Sequence, residues 1–406
     1  AFWLPSLNGE LIFVMDELSA PLIPLVALLH FLTALATART KSRRFPFAWM
    51  LAAESVRLTT FACKIPWLLI GLLIAGWVPP FIELVRRGKP TRLYMLHMGL
   101  FVGLLVAGWF LVSSEGMGDK HLTWAALPLL VAVLIRSGTF PFHTWITDLF
   151  EHASFGGALL AVTPITGVYA AMRLVLPVAS DALLQGVGIV SLVTALYAAG
   201  MAIVQTDVRR FFAYFFVSHA SLILVGLELV SVISLTGALC LWFSVALSLT
   251  GLGLSLRAVE ARVGRLHLND YQGLYELSPA LAVCFLLSGL ASVGFPGTLG
   301  FVSTELLVDG AVEANLYLGL AVALTAAFNS IAVLRVYFLL FTGKRRTSTI
   351  PLQITFREWA AVLTLAVLIV GGGLLPQPGV RSRYNAAHDS FAVRDALHPP
   401  QPDAAH

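Results

Sequence analysis

The stretch LIRSGTFPFHTWITDLF, Leu134–Phe150, places an arginine inside an apolar run and then breaks at Phe140-Pro141. Both features work against a helix in lipid. An ionised side chain at mid-bilayer costs about 3 kcal/mol or more. Proline removes a backbone donor and clashes with the preceding turn. A chain that carries both at one place implies a polar, hydratable point inside an apolar setting.

The setting is apolar throughout. Of 406 residues, 58% are hydrophobic and 12% are charged, against about 25% charge in soluble domains. So few charges cannot build a polar shell. Apolar runs long enough to cross a bilayer recur along the chain. The class is an all-α polytopic membrane protein; a membrane β-barrel would need short alternating segments and is excluded. The opening residues AFWLPSLNGELIFVMDE lack the basic start of a signal peptide. Cys63, Cys240 and Cys284 lie in apolar runs without ligand spacing and read as buried small hydrophobes. No zinc, haem or iron–sulfur motif is present, and no Gly-rich phosphate loop follows a strand. No cofactor is expected in this chain.

Hydropathy predicts about twelve spans, near 19–38, 45–64, 65–84, 91–112, 121–150, 157–177, 181–205, 207–229, 230–256, 278–314, 315–343 and 356–376. The basic clusters Arg39–Arg44, Arg86–Arg92, Arg209-Arg210, Arg257–Arg265 and Lys344–Arg346 then all fall on one side, taken as cytoplasmic. Both termini are expected outside. The tail from Gln377 to His406 is polar and reads as partly disordered.

The break at Phe140-Pro141 has a counterpart at Phe295-Pro296, 155 residues on, in LASVGFPGTLGFVSTELLVDG. Each interrupts the fourth helix of a five-helix unit. The expected organisation is an N-terminal segment and first helix (1–44), a first repeat (45–177), a second repeat (181–343), a loop and last helix (344–376) and the tail (377–406). Successive five-helix units enter the membrane from opposite sides, so the repeat is inverted and its broken helices face protein or water.

Ionisable residues inside the spans are the candidates for ion transfer. Glu54 and Arg57, three apart on one helix face, are expected to pair locally. Arg173 and Arg335 lie near span ends and can snorkel. Arg136 precedes the first break and Glu305 follows the second; both lie deep. His143 and His219 are the nearby groups whose ordinary pKa lies near neutrality. The expected pathway is therefore Glu305, Arg136, His143, Asp148 and His219, with Arg136 holding a carboxylate such as Asp148 and Glu305 partly buried.

These same stretches carry a family resemblance. FPFHTWITDLFEHA resembles the FPFHTWLPDAH signature of antiporter-like subunits of respiratory complex I. VQTDVRRFFAYFFVSHASLILVGL resembles their QTDIKRLIAYTSVSHMG segment, GFPGTLGFVSTELL their GMPGTGNFVGEF, and MDELSAPLIPLV their early VDGLS segment. The resemblance runs from about Met15 to Gly343 and implies a fourteen-helix fold, of which this chain lacks the first two helices. The family places a lysine where Arg136 stands and pairs it with a glutamate two helices earlier. Trp77-Val78 stand at that glutamate's place, Pro164-Ile165 at a second lysine, and Val245 at a histidine. Arginine does not release its proton, so Arg136 is read as a fixed charge.

The reduced charge set and the GFPGTLGFVSTELL wording most resemble the DabB-type membrane proteins of inorganic-carbon accumulation. That resemblance implies a cation-conducting subunit, for H⁺ or Na⁺, and a cytoplasmic DabA-like partner that holds zinc in the manner of a β-carbonic anhydrase. The other readings are a subunit of a complex I or membrane-hydrogenase assembly, and a structural anchor whose channel has decayed.

Overall fold

The computed structural model describes residues 6–7, 10–37, 47–114, 119–276, 278–343 and 354–397. Its first helices are α1 (Leu22–Leu35), α2 (Phe47–Ala62), α3 (Pro66–Ala75), α4 (Val78–Arg86), α5 (Arg92–Ser114) and α6 (Asp119–Ser137). Next come α7 (Thr144–His152), α8 (Phe155–Val162), α9 (Thr166–Ala170) with a π-turn at Ala171–Val175, α10 (Asp181–Val204), α11 (Val208–Glu228) and α12 (Val232–Val263). The last are α13 (Pro279–Ser292), α14 (Leu299–Ala314), α15 (Leu316–Phe341), α16 (Phe356–Leu374) and α17 (Gln377–Leu397). Two-residue strands at Ser6–Leu7 and Glu10–Leu11 pair before α1. Eight helical segments are long and apolar enough to cross a membrane, and Leu22–Leu35, Trp124–Ser137 and Pro279–Ser292 are shorter apolar helices.

Helix starts follow capping chemistry. The Asp207 carboxylate accepts from Arg209 N and Arg210 N at the head of α11. Ser231 caps α12 and Asn315 caps α15. Thr355 and Glu358 form a reciprocal capping box on α16. The core is the seam where α10 packs on α11 and α15, and where α12 packs on α13 and α14. Helix α12 is buried along nearly its whole length, while α5 and α15 expose leucines and aromatics outward, as a bundle bathed in lipid does.

Both expected breaks are present. The first lies between Ser137 and Thr144 and turns at Gly138 (φ 75°); the second lies between Ser292 and Leu299 and turns at Gly294 (φ 84°). A third interruption separates α8 from α9, where Ile165 is left-handed (φ 48°); hydropathy shows this span as continuous because long apolar runs flank Thr163-Pro164-Ile165-Thr166 on both sides.

The described basic clusters share one face. Arg209 pairs with Glu260, Arg265 with Asp207, and Arg210 and Arg265 reach Glu151. Arg262 pairs with the buried Glu358. The Arg265 guanidinium is held above its ordinary pKa, chiefly by its hydrogen bond to Asp207. Glu83 accepts from Ser154 N at 2.7 Å and so ties Arg86–Arg92 to this face. Arg39–Arg44 and Lys344–Arg346 lie outside the described residues.

Helix α17 is ordered over Gln377–Leu397, against the expectation of a partly disordered tail; residues 398–406 lie outside the described residues. It packs on α12. Arg383 donates to Glu17 O, and Arg394 to Ala179 O and Asp181. Both arginines are buried, and burial pulls Arg383 down to about 10. A polar composition concealed these anchors, because each guanidinium finds its partners far away in sequence. Nearby, burial pushes the Asp16 carboxyl up, but the Arg173 charge and hydrogen bonds from Arg173, Ser19 N and Lys64 outweigh it and hold Asp16 well below the usual carboxylate range.

Helix α14 starts tight against α13. A Cβ on Gly300 would collide with the Ala291 carbonyl oxygen, whereas Gly71 faces open space. Gly300→Ala should lower stability by about 1–3 kcal/mol and Gly71→Ala should not, read as unfolding midpoints of the detergent-solubilised chain; equal midpoints would refute this packing.

Candidate functional site

At each break a backbone carbonyl is met by a ring nitrogen of another helix. Trp145 Nε1 donates to Ile135 O at 2.8 Å across the first break. Trp242 Nε1 donates to Pro164 O at 3.2 Å at the third. His219 Nε2 lies 3.0 Å from Ser292 O at the second. Phe140 N, also freed, donates to Thr194 Oγ1 at 3.2 Å.

At the first break Arg136 is buried. Its guanidinium lies 5.4 Å over Trp145, and its Nε has no partner. It does not hold Asp148. That carboxylate pairs with His152, one turn away, at 3.1 Å, because Asp148 and His152 share a face of α7 at i,i+4 spacing. His143 is buried among Phe140, Tyr197 and Tyr214, and its Nδ1 has no partner. His97, on α5, approaches Thr144 at 3.3 Å and acts electrostatically on both His143 and Asp148.

The expected Glu54–Arg57 pairing is also corrected. Arg57 Nη1 donates to His30 Nε2 at 3.0 Å. The α1–α2 contact brings that ring closer than the local carboxylate, which sits partly exposed. Arg173, partly buried, donates to Asp16, Ser19 and Tyr169 rather than reaching out to solvent. Arg335 donates to Gln205 O at 3.1 Å.

The second break holds a different set. His219 is 1% exposed, with Nδ1 2.8 Å from Phe215 O and Nε2 3.0 Å from Ser292 O. Both neighbours are acceptors. A neutral ring donates to one of them, and an imidazolium donates to both, so proton uptake rewires this contact. Beside it lies a cavity of about 10 Å³ lined by His219, Ser292, Thr304 and Asn329, the lower limit for one water. Asn329 Nδ2 donates to Ser218 Oγ, which donates to Ala195 O, while Asn329 Oδ1 has no protein partner. A polar thread thus leaves His219 toward α10.

Glu305 does not join this cavity. It lies on the exposed side of α14 with Phe301 and Asp309, while Ser303, Leu307 and Gly310 face inward. The expected partial burial is not found, because helical phase turns Glu305 outward while its neighbour Thr304 lines the cavity. Sequence reading also passed over His30 and Asn329. His30 was visible as a lone titratable residue in the apolar run LVALLHFLTAL; Asn329, uncharged, gave no such signal. No group of three or more His, Cys, Asp or Glu could hold a metal among the described residues.

A helical bundle whose helices break beside buried polar groups is the frame of an antiporter-like, ion-conducting membrane subunit. The chain belongs to the NADH:quinone oxidoreductase/Mrp antiporter transmembrane family, which matches residues 95–329 and so spans both breaks. It is 26% identical to NADH-quinone oxidoreductase subunit M of Pseudomonas aeruginosa over 423 aligned positions, covering 93% of this chain and 81% of that protein. It is 28% identical to F(420)H(2) dehydrogenase subunit M of Methanosarcina mazei over 262 positions, 62% of this chain and 52% of that protein. Its fold matches a chain of respiratory complex I from Thermus thermophilus with TM-score 0.84 and 23% identity, covering 94% of this chain and 86% of that one. A chain of the Mrp complex from a Dietzia species matches with TM-score 0.84 and 18% identity, covering 95% and 86%.

The two breaks should respond differently to substitution. His219→Phe strips the partner from a buried carbonyl and should cost about 1–3 kcal/mol. Asp148→Asn removes a partly exposed pair and should cost under about 1 kcal/mol. Unfolding midpoints of the purified variants compare them, and an Asp148→Asn loss equal to that of His219→Phe would contradict the assignment.

Proposed function

We propose that this chain is the cation-conducting membrane subunit of an inorganic-carbon accumulating assembly. Flow of H⁺ or Na⁺ through it drives CO₂ hydration by a cytoplasmic, DabA-like zinc protein resembling a carbonic anhydrase. One observation carries the reading: the first half buries Arg136 without a carboxylate, where an ordinary pump subunit of the family sets a lysine against a glutamate. A guanidinium that keeps its proton cannot load and release one. Protons then move through the second half, around His219 and the cavity beside it, and Glu305 serves at the outer face of α14. The shared basic face is cytoplasmic in this reading and offers Arg86, Arg87, Lys89 and Arg210 to the partner.

A second reading is a subunit coupled to electron transfer. The Pseudomonas relative, a named subunit of NADH-quinone oxidoreductase, favours it.

Copurification from native membranes separates the two. A copurifying zinc protein that hydrates CO₂ is the expected result, whereas quinone-reductase or hydrogenase subunits would replace this proposal with the second. In cells dependent on carbon accumulation, Glu305→Gln should abolish bicarbonate uptake while the complex still assembles. Normal uptake would remove Glu305 from the path.

A further inference from the structure

Arg57 and Arg136 are 3% and 8% exposed; the Arg136 guanidinium lies 5.4 Å over Trp145, whose ring is 6.0 Å from that of Tyr94, and both arginine charges act on Tyr94. The Arg136 charge also acts on Arg57. Two like charges buried together are unfavourable, and neither can be discharged by losing a proton.

Their surroundings offer little negative charge. Arg57 donates from Nη1 to His30 Nε2. The other ring nitrogen, Nδ1, lies 2.9 Å from Val26 O and so carries the hydrogen, which makes His30 a neutral acceptor. Arg136 makes no hydrogen bond among the described residues. Its Nε is buried and unpartnered, and Trp145 offers it only a ring face. Neither arginine belongs to an ion pair among the described residues. Glu54 acts on Arg57, less strongly than Arg136 or Tyr94 does, and is partly exposed.

Further donors collect at the same place. Tyr94 Oη donates to Trp77 O at 3.1 Å, which fixes Trp77 beside Tyr94, yet Trp77 Nε1 is buried without an acceptor. The region therefore has an excess of positive charge and of N–H donors, and a shortage of acceptors. Buried polar groups are normally satisfied, and charge-assisted hydrogen bonds to an anion are the strong kind.

We infer that Arg136, Arg57 and the Trp77 indole N–H hold a small monovalent inorganic anion, chloride or bicarbonate, inside the first half of the bundle. Such an anion supplies only negative charge and acceptors, which are what the site lacks. Guanidinium forks suit the planar oxygens of bicarbonate, and chloride accepts from the same donors. The inference is independent of the proposed carbon accumulation, since it concerns binding and not transport.

The test is equilibrium binding of radiolabelled chloride and radiolabelled bicarbonate to the full chain in lipid nanodiscs, with gluconate as the competing salt. Saturable binding of one anion per chain is expected, and whichever label binds identifies it. Arg136→Gln should weaken that binding at least about tenfold. Trp77→Phe keeps the ring bulk and removes the donor, and should weaken it about three- to tenfold; it carries the test if Arg136→Gln does not fold. No saturable binding of either label by the folded wild-type chain would overturn the site, as would wild-type affinity in a folded Trp77→Phe chain.

Discussion

The broken helices of this bundle depend on how the carbonyls beside their breaks are met. A helix broken at bilayer depth exposes backbone groups that lipid cannot satisfy, each at a cost of several kcal/mol. Here ring nitrogens of Trp145, Trp242 and His219 lie against Ile135 O, Pro164 O and Ser292 O. Trp242 and His219 come from other spans, and Trp145 from the far half of the same broken span, so two of the three breaks are held by long-range packing. Trp145 and Trp242 are among the largest fully buried side chains, so each serves as core filler and as backbone partner at once.

The three solutions are not chemically equal. An indole N–H donates and does nothing else. An imidazole can donate, accept or carry charge, and the carbonyl at the second break is met by an imidazole. The same asymmetry runs through the charges. The first half buries two arginines that keep their charge, together with the rings of His30, His97 and His143, and the second has a histidine between two acceptors, an amide with a free oxygen and space near the size of one water.

Much of the fold could be read in advance. The span boundaries fall within a few residues of the helices because lipid exposure imposes long apolar runs, and Pro with Gly marks both expected breaks. The break at Ile165 was passed over although Pro164 and Gly167 flank it, because the apolar runs on either side read as one span and its partner Trp242 comes from a distant helix. Helix α17 was missed for a related reason: its anchors Arg383 and Arg394 look like surface charge until Glu17, Ala179 and Asp181 are brought to them. Sequence showed which residues were polar at depth. It did not show their partners, so Asp148 was assigned to Arg136 instead of His152, and Arg57 to Glu54 instead of His30.

Helical phase settles what Glu305 can do. Residues 301, 305, 309 and 312 share the exposed strip of α14, and 303, 307 and 310 the buried one. Depth alone, which hydropathy reports, places Glu305 in the membrane and says nothing of which strip it occupies. A carboxylate on the outer strip cannot exchange a proton with His219 through the interior of α14 without a path around the helix, since Leu307 and Ser303 lie between. The part of the surface that reaches Glu305 is the part that an adjoining protein would cover, because hydrocarbon would oppose a charge there. A route that joined His219 to Glu305 would therefore need a surface beyond this chain, because the buried strip of α14 separates the two.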